Sequence, residues 1–293
     1  MKIQHWFLAL ALVGIVPEAA MADVSDGGQI KILKAGAEPK QALRYAYKKG
    51  QKSTMTLESD MTMEMSIGDK SMPKMTLPTI SQRLRLEVTG VDKDGNADFK
   101  GIIDNVKVAA SAAPDMKAAL EKELKQMNGT TVVGKFSSRG QTLSLDVKFG
   151  KDTSDQAKQQ MEGVVTSLRQ LMTVLPVEAV GPGAIWENSQ VIKLNFGTAN
   201  QKTKFEIKSL KGTNMELAAT MEQTAAPQKV ALPGAPAGAE AQLTSLKGTG
   251  NGNTKLDLTK IGIFGTMNAA IKVALSAQGQ ALNMAMTTAV RMK

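Results

Sequence analysis

The sequence predicts a mainly β protein: a curved antiparallel sheet, or half-barrel, with an amphipathic helix packed in its concave face. Three observations carry that prediction. From Leu43 onward, apolar residues recur at period two, as in Leu43, Tyr45, Tyr47 and again Met61, Met63, Met65. Turn signatures punctuate these runs at Asp94-Gly95-Asn96, Ser138-Arg139-Gly140, Lys211–Asn214 and Gln278-Gly279. One stretch, residues 153–175, instead carries a helical period, with Ala157, Met161, Val164, Val165, Leu168, Leu171, Met172 and Leu175 in an arc of ~120°. Antiparallel strands with alternating faces need one side covered. Burying these side chains at ~1.5–3 kcal/mol each contributes on the order of 12–24 kcal/mol before entropy is subtracted. The helix is therefore expected inside the fold.

The chain opens on an export signal. Lys2 precedes an apolar run from Trp6 to Val16, Pro17 breaks it, and Ala20-Met21-Ala22 places small residues where a signal peptidase reads them. The run is too short to cross ~30 Å of hydrocarbon. Residues 1–22 are expected to be cleaved after Ala22, leaving a soluble chain that is periplasmic or secreted and does not span a membrane. With no cysteine, neither a lipid anchor nor a disulfide is available. Residues 23–40, Gly, Ala and polar residues without a period, read as a flexible leader.

Residues 41–293 read as a single β-rich domain of two similar halves, 41–150 and 177–293, joined by helix 153–175. In the first half, Met55, Leu57 and Met61–Met65 form one long strand, with a bulge expected near Ser59-Asp60. A strand around Leu84–Val88 follows, then one over Phe99–Val108. Pro114 suits a first helical position and Asn128-Gly129 an exit, so a short helix lies between them. Strands Thr130–Ser137 and Thr142–Phe149 close the half, and Thr153 with Gln156 makes a capping box for the long helix. In the second half, Val191–Phe196, Thr203–Leu210 and Met215–Met221 are strands, with turns at Thr198–Gln201 and Lys211–Asn214. Residues 225–241, with three prolines among small residues, read as a flexible loop. Gly250–Asn253 reads as a hairpin turn, and Ile261–Ala277 and Ala281–Met292 end the chain.

Composition excludes several chemistries. The single histidine, His5, lies inside the signal, so a mature chain lacks the parts of a Ser-His-Asp or Cys-His arrangement and of the usual zinc sites. Gly181-Pro182-Gly183 and Gly248–Gly252 lack the phosphate-loop pattern and read as turns. Asp92–Asn96 lacks the downstream glutamate of a calcium loop and reads as a hairpin turn. No enzymatic activity and no cofactor are expected. The net charge of +9 is spread along the chain. It suits acidic polymers or lipid headgroups outside the cell better than nucleic acid.

What remains is binding. Eighteen methionines against two tryptophans and two tyrosines make a flexible, polarizable core that tolerates a ligand. The expected site for an apolar or amphipathic, lipid-like ligand is Met61, Met63 and Met65 on one strand, Met161, Val165, Leu168 and Met172 on the helix, and Trp186. The alternatives are an envelope structural protein, holding a protein partner through the 225–241 loop and basic surface, and Cu(I) handling by the thioethers of Met61–Met65, Met72, Met75, Met284 and Met286. Glu123, inside the apolar stripe of the short helix, is a further candidate for facing a ligand.

At LPVEAVGPGAIWEN the chain resembles a family of uncharacterised exported bacterial proteins. The resemblance rests on Leu175, Pro176, Val180, Gly183 and Trp186, and earlier on Tyr45, Tyr47 and Gly50. It implies no known activity. Pro182-Gly183-Ala184 departs from it, standing where relatives carry Gly-Asp or Gly-Glu before the tryptophan. The architecture expected here is similar to the lipoprotein-carrier (LolA-like) half-barrel group, whose members bind acyl chains between sheet and helix.

Overall fold

A computed structural model describes residues 28–110, 114–149, 169, 172–194, 197–231, 240–277 and 279–293. In chain order the elements are β1 (Gln29–Lys34), β2 (Lys52–Ile67), β3 (Lys70–Ser71), β4 (Met75–Val91), β5 (Ala97–Val108) and α1 (Pro114–Leu124). β6 (Thr131–Phe136), β7 (Thr142–Lys148), β8 (Ile185–Leu194) and β9 (Gly197–Lys211) follow. β10 (Asn214–Ala225), β11 (Gln228–Ala231), β12 (Glu240–Asp257), β13 (Phe264–Ala277) and β14 (Gln280–Met292) complete the set. All strands belong to one antiparallel sheet in the order β1-β8-β9-β10-β12-β13-β14-β2-β4-β5-β6-β7, with β3 and β11 as short side pairs.

The two predicted halves are two meanders of this one sheet. The last strand, β14, pairs with the first long strand, β2, along nearly its whole length. That single junction makes the sheet continuous. β1 and β7 end the order without pairing to each other, so the sheet stays unclosed. It nevertheless curls. Trp186, on β8 near one edge, donates to the Val174 carbonyl, while the next residue, Leu175, donates to the carbonyl of Arg139, between β6 and β7 at the other edge. α1 adds Leu120, Leu124 and, from the 3₁₀ turn that follows it, Met127 to the main buried cluster. Gly129, at φ +85°, ends this helical stretch in the backbone region glycine favours.

Alternation within β2 decides which side is inside. Met55 and Met63 are buried, and Leu57, Met61 and Met65 share their parity. A second, smaller cluster lies on the same face toward the far end of the long strands, built around Leu243, Leu246, Val273, Leu275 and Met284. The inner face thus carries two packed regions with a band between them.

Several expectations change. The bulge expected near Ser59-Asp60 is found there, but its extra residue is on β4: β2 runs in unbroken register against β14, whereas Ser59 and Met61 oppose Ile80 and Leu77, so Pro78 and Thr79 stand against Asp60 alone. Residues 29–34, read as flexible leader, form β1 and pair with β8. Thr198–Gln201 lies inside β9, paired with β8. Gly248–Asn253 is not a turn but the middle of β12, paired on both sides. Of the loop 225–241, Gln228–Ala231 pairs with β12. Most of helix 153–175 falls outside the described residues. Its last four positions, Met172–Leu175, are not helical, and Leu175 N–H donates to the Arg139 carbonyl at 2.9 Å.

Candidate functional site

Register turns the inner face into rows of known composition. One row crosses the sheet as Met75, Met63, Met286, Ile271, Gly248, Gln223, Gln201 and Gln190. The next crosses as Leu77, Met61, Thr288, Ala269, Gly250, Met221, Thr203 and Asn188. The second lies between the two packed clusters, and the first borders the smaller one, against which Met286 and Ile271 pack. The first changes along its length from thioethers on β4, β2 and β14 to glycine on β12 and then to amides on β8–β10, whereas the second carries one thioether on β2 and another on β10, with glycine on β12 between them.

The glycines have a local reason. A Cβ on Gly248 would stand 2.7 Å from the Gln223 side-chain oxygen, and one on Gly252 would stand 2.5 Å from the Thr266 carbonyl. Gly248 therefore leaves room for a buried amide ladder, in which Gln223 Nε2 donates to Gln201 Oε1 at 2.7 Å. Gln201, Thr203, Gln223 and Asn188 are all buried. Asn188 Oδ1 and Gln223 Oε1 have no protein partner among the described residues.

At the thioether end the band is open. Met61, Met286 and Val290 are half-buried, and Met267 is 39% exposed although it occupies an inner-face position beside Val290. A cleft of about 920 Å³ crosses β4, β2, β14, β13 and β12 at mid-length, and its lining includes Leu77, Met61, Thr288, Ala269 and Gly250 of the second row. It takes three consecutive residues from most of these strands. Its lining also takes in Thr62, Thr287, Asn251 and Asn268, together with Asp60. Arg291 Nη2 pairs with Asp60 at 2.7 Å. The Thr79 hydroxyl, followed by Arg291, holds the Asp60 carboxyl below its ordinary value.

The predicted site residues therefore separate. Met61, Met63 and Met65 share the inner face, Met63 buried and the other two half-buried. Met172 and Trp186 belong to the main cluster, away from the open band. Trp186 is fully buried, stacks on Phe205 at 5.4 Å and donates from Nε1 to the Val174 carbonyl at 3.1 Å. Met161, Val165 and Leu168 lie outside the described residues, as does the side chain of Glu123.

The motif residues converge on a seam. Tyr45 and Tyr47 stack at 5.5 Å, and the Tyr45 hydroxyl donates to the Thr173 carbonyl. Arg44 donates to the Pro176 and Val177 carbonyls, and Arg139 Nε to that of Leu175. Gln41 and Val180 form an isolated antiparallel bridge. Burial pushes the Tyr45 phenol well above its ordinary value, against the opposite pull of its bond to Thr173. Tyr47 is pushed up by burial and then by the neighbouring Tyr45, and its hydroxyl has no partner among the described residues.

With this geometry in place, the stretch from Gly140 to Gly262 can be compared with known proteins. It matches a family of unknown function (DUF6263). That match covers less than half of the chain, and it includes the Leu175–Trp186 seam but not Tyr45 and Tyr47. No curated protein and no solved structure matches the chain. Among the described residues, no helix is long and apolar enough to cross a membrane.

Proposed function

We propose that this chain is an exported, non-enzymatic protein of the bacterial envelope that binds an apolar or amphipathic ligand on the inner face of its sheet. One observation carries the reading: Met61, Met267, Met286 and Val290 present apolar surface, left partly open between two packed clusters. Contiguous apolar surface of this kind serves contact with a partner or ligand more often than it serves stability. The neighbouring amide ladder gives the same band a polar end, which suits an amphipathic molecule. The curled, unclosed sheet is similar in outline to the LolA-like half-barrels, a fold-level analogy that carries little about function by itself. In this reading the acyl chain lies against the methionines, with its polar head toward the amides.

The test is to delipidate and refold the protein and titrate a fluorescent fatty acid. Saturable binding is expected, weakened at least tenfold by Met267→Lys, which places a charge on the open apolar surface. Absence of saturable binding removes the proposal. N-terminal sequencing of protein extracted from the envelope should begin at Asp23, and retention of residues 1–22 would remove the export reading. A second reading, an envelope structural protein, is favoured by the full packing of Trp186 and Met172. In-cell cross-linking that returned one discrete protein partner would support it.

A further inference from the structure

We infer that Met63, Met75 and Met286 form a three-thioether site for a soft monovalent metal ion, Cu(I), on the inner face of the sheet. Met63 stands directly opposite Met75 on β4 and Met286 on β14. Three thioethers therefore sit side by side on three neighbouring strands. In the adjacent row Met65 stands opposite Met284, a second pair of sulfurs within reach. Directly opposed Cβ atoms are ~4.5–5.5 Å apart. Each methionine has three rotatable bonds, so three Sδ atoms can close on one ion without moving the backbone.

The surroundings select the ion. The row continues as Ile271 and the adjacent one as Val273, so no carboxylate or imidazole shares this patch among the described residues. Glu64 alternates to the other face, where it pairs with Lys74 at 3.1 Å. Neutral sulfur donors offer little to hard divalent ions and bind Cu(I) well. Met63 is buried while Met75 and Met286 are half-buried, which gives a dry floor and an open side for entry. Sequence spacing alone supplies Met63 and Met75. Met286 joins them only because the last strand pairs with the first long one. The ion enters already reduced, so binding involves coordination and no electron transfer. This site shares Met286 with the proposed lipid surface but stands on sulfur donors rather than on apolar area, so the two are tested separately.

The experiment is titration of the full mature chain with Ag(I), a redox-inert stand-in, followed by Cu(I) under anaerobic competition with a colorimetric chelator. One ion per chain is expected, with X-ray absorption showing sulfur scatterers only. Met63→Leu, nearly volume-conserving and so compatible with folding, should weaken binding at least tenfold, as should Met286→Leu. Met267→Leu, outside the triplet, should bind as the native chain does. Affinity no greater than that of free methionine, or unchanged binding in both triplet variants, overturns the assignment. Either result leaves the fatty-acid titration free to decide the lipid proposal separately.

Discussion

The seam and the open band are parts of one inner face, built on opposite principles. At the seam, large side chains are fully packed: Trp186, Phe136, Leu43 and Leu175 are all nearly or wholly excluded from solvent. Two chain segments, 35–47 and 172–184, are stitched to the sheet there by side chains and backbone together. Gly181 N–H donates to the Ala35 carbonyl, Ala37 N–H to Pro182, and Gln41 exchanges both bonds with Val180. In the band, by contrast, the sheet is carried by Gly248, Gly250, Ala269 and Thr288, with flexible methionines left part-exposed. The residues that identify a motif in the sequence are therefore the ones that hold the sheet curled. The residues free to bind something are those the motif does not contain.

The sharpest way to break that comparison is to truncate one large side chain on each side of it. Trp186→Ala should destabilise by ~3–5 kcal/mol, because a packed indole is removed and the Val174 carbonyl loses its donor. Met267→Ala should cost under ~1 kcal/mol, since so much of the side chain is already in water. Chemical denaturation of both variants checks this. A band variant as damaging as the seam variant would erase the distinction.

Two nearby glycines sharpen it further. A Cβ on Gly181 would lie 1.8 Å from the Ala37 carbonyl oxygen, a backbone atom that moves only if the seam opens. At Gly183 nothing stands within 4 Å, and only the φ of +74° opposes a side chain. Gly181→Ala should therefore cost ~1–3 kcal/mol or more, and Gly183→Ala ~1 kcal/mol. Equal losses in thermal or denaturant unfolding would mean that the close approach at Gly181 is not what holds the segments together.

These differences also explain what can be read in the sequence. β2 is legible because its inward residues keep strict period two from Ser53 to Ile67. α1 is legible because Pro114 and Asn128-Gly129 mark both its ends. Gly248–Asn253 misleads because local glycine chemistry favours a turn, while the strand is imposed by partners on both sides. Thr198–Gln201 misleads for a related reason. A polar run resembles a turn until Gln201 is seen to meet Gln223 across β9 and β10. β1 is short and on an edge, so Ile30 and Ile32 alone give too little alternation to mark it. Of the candidate site, the methionines of β2 are visible as a set. Met286 is named there by residue type alone, and that it stands opposite Met63 depends on a pairing between opposite ends of the chain.

The smallest expected effect near neutral pH concerns the stacked tyrosines, and it separates the seam from the band by pH. Both phenols titrate higher in the folded chain than their ordinary value of 10.0, chiefly through burial. A raised phenol holds its proton better folded than unfolded. Its contribution to stability is therefore whole below about pH 10 and is lost as pH rises through the folded value. At neutral pH, Tyr47→Phe should lie within ~1 kcal/mol of the native chain or be slightly more stable, because the hydroxyl it removes has no partner among the described residues. Tyr45→Phe should cost ~0.5–1.5 kcal/mol through the lost bond to Thr173. Above pH 10 the order changes: the native chain should lose stability steeply, and the double Phe variant should lose much less. Variants in the band, such as Met61→Leu, contain both tyrosines and should follow the native curve. An alkaline limb that survived in the double Phe variant would place its origin in the exposed lysines, outside the seam.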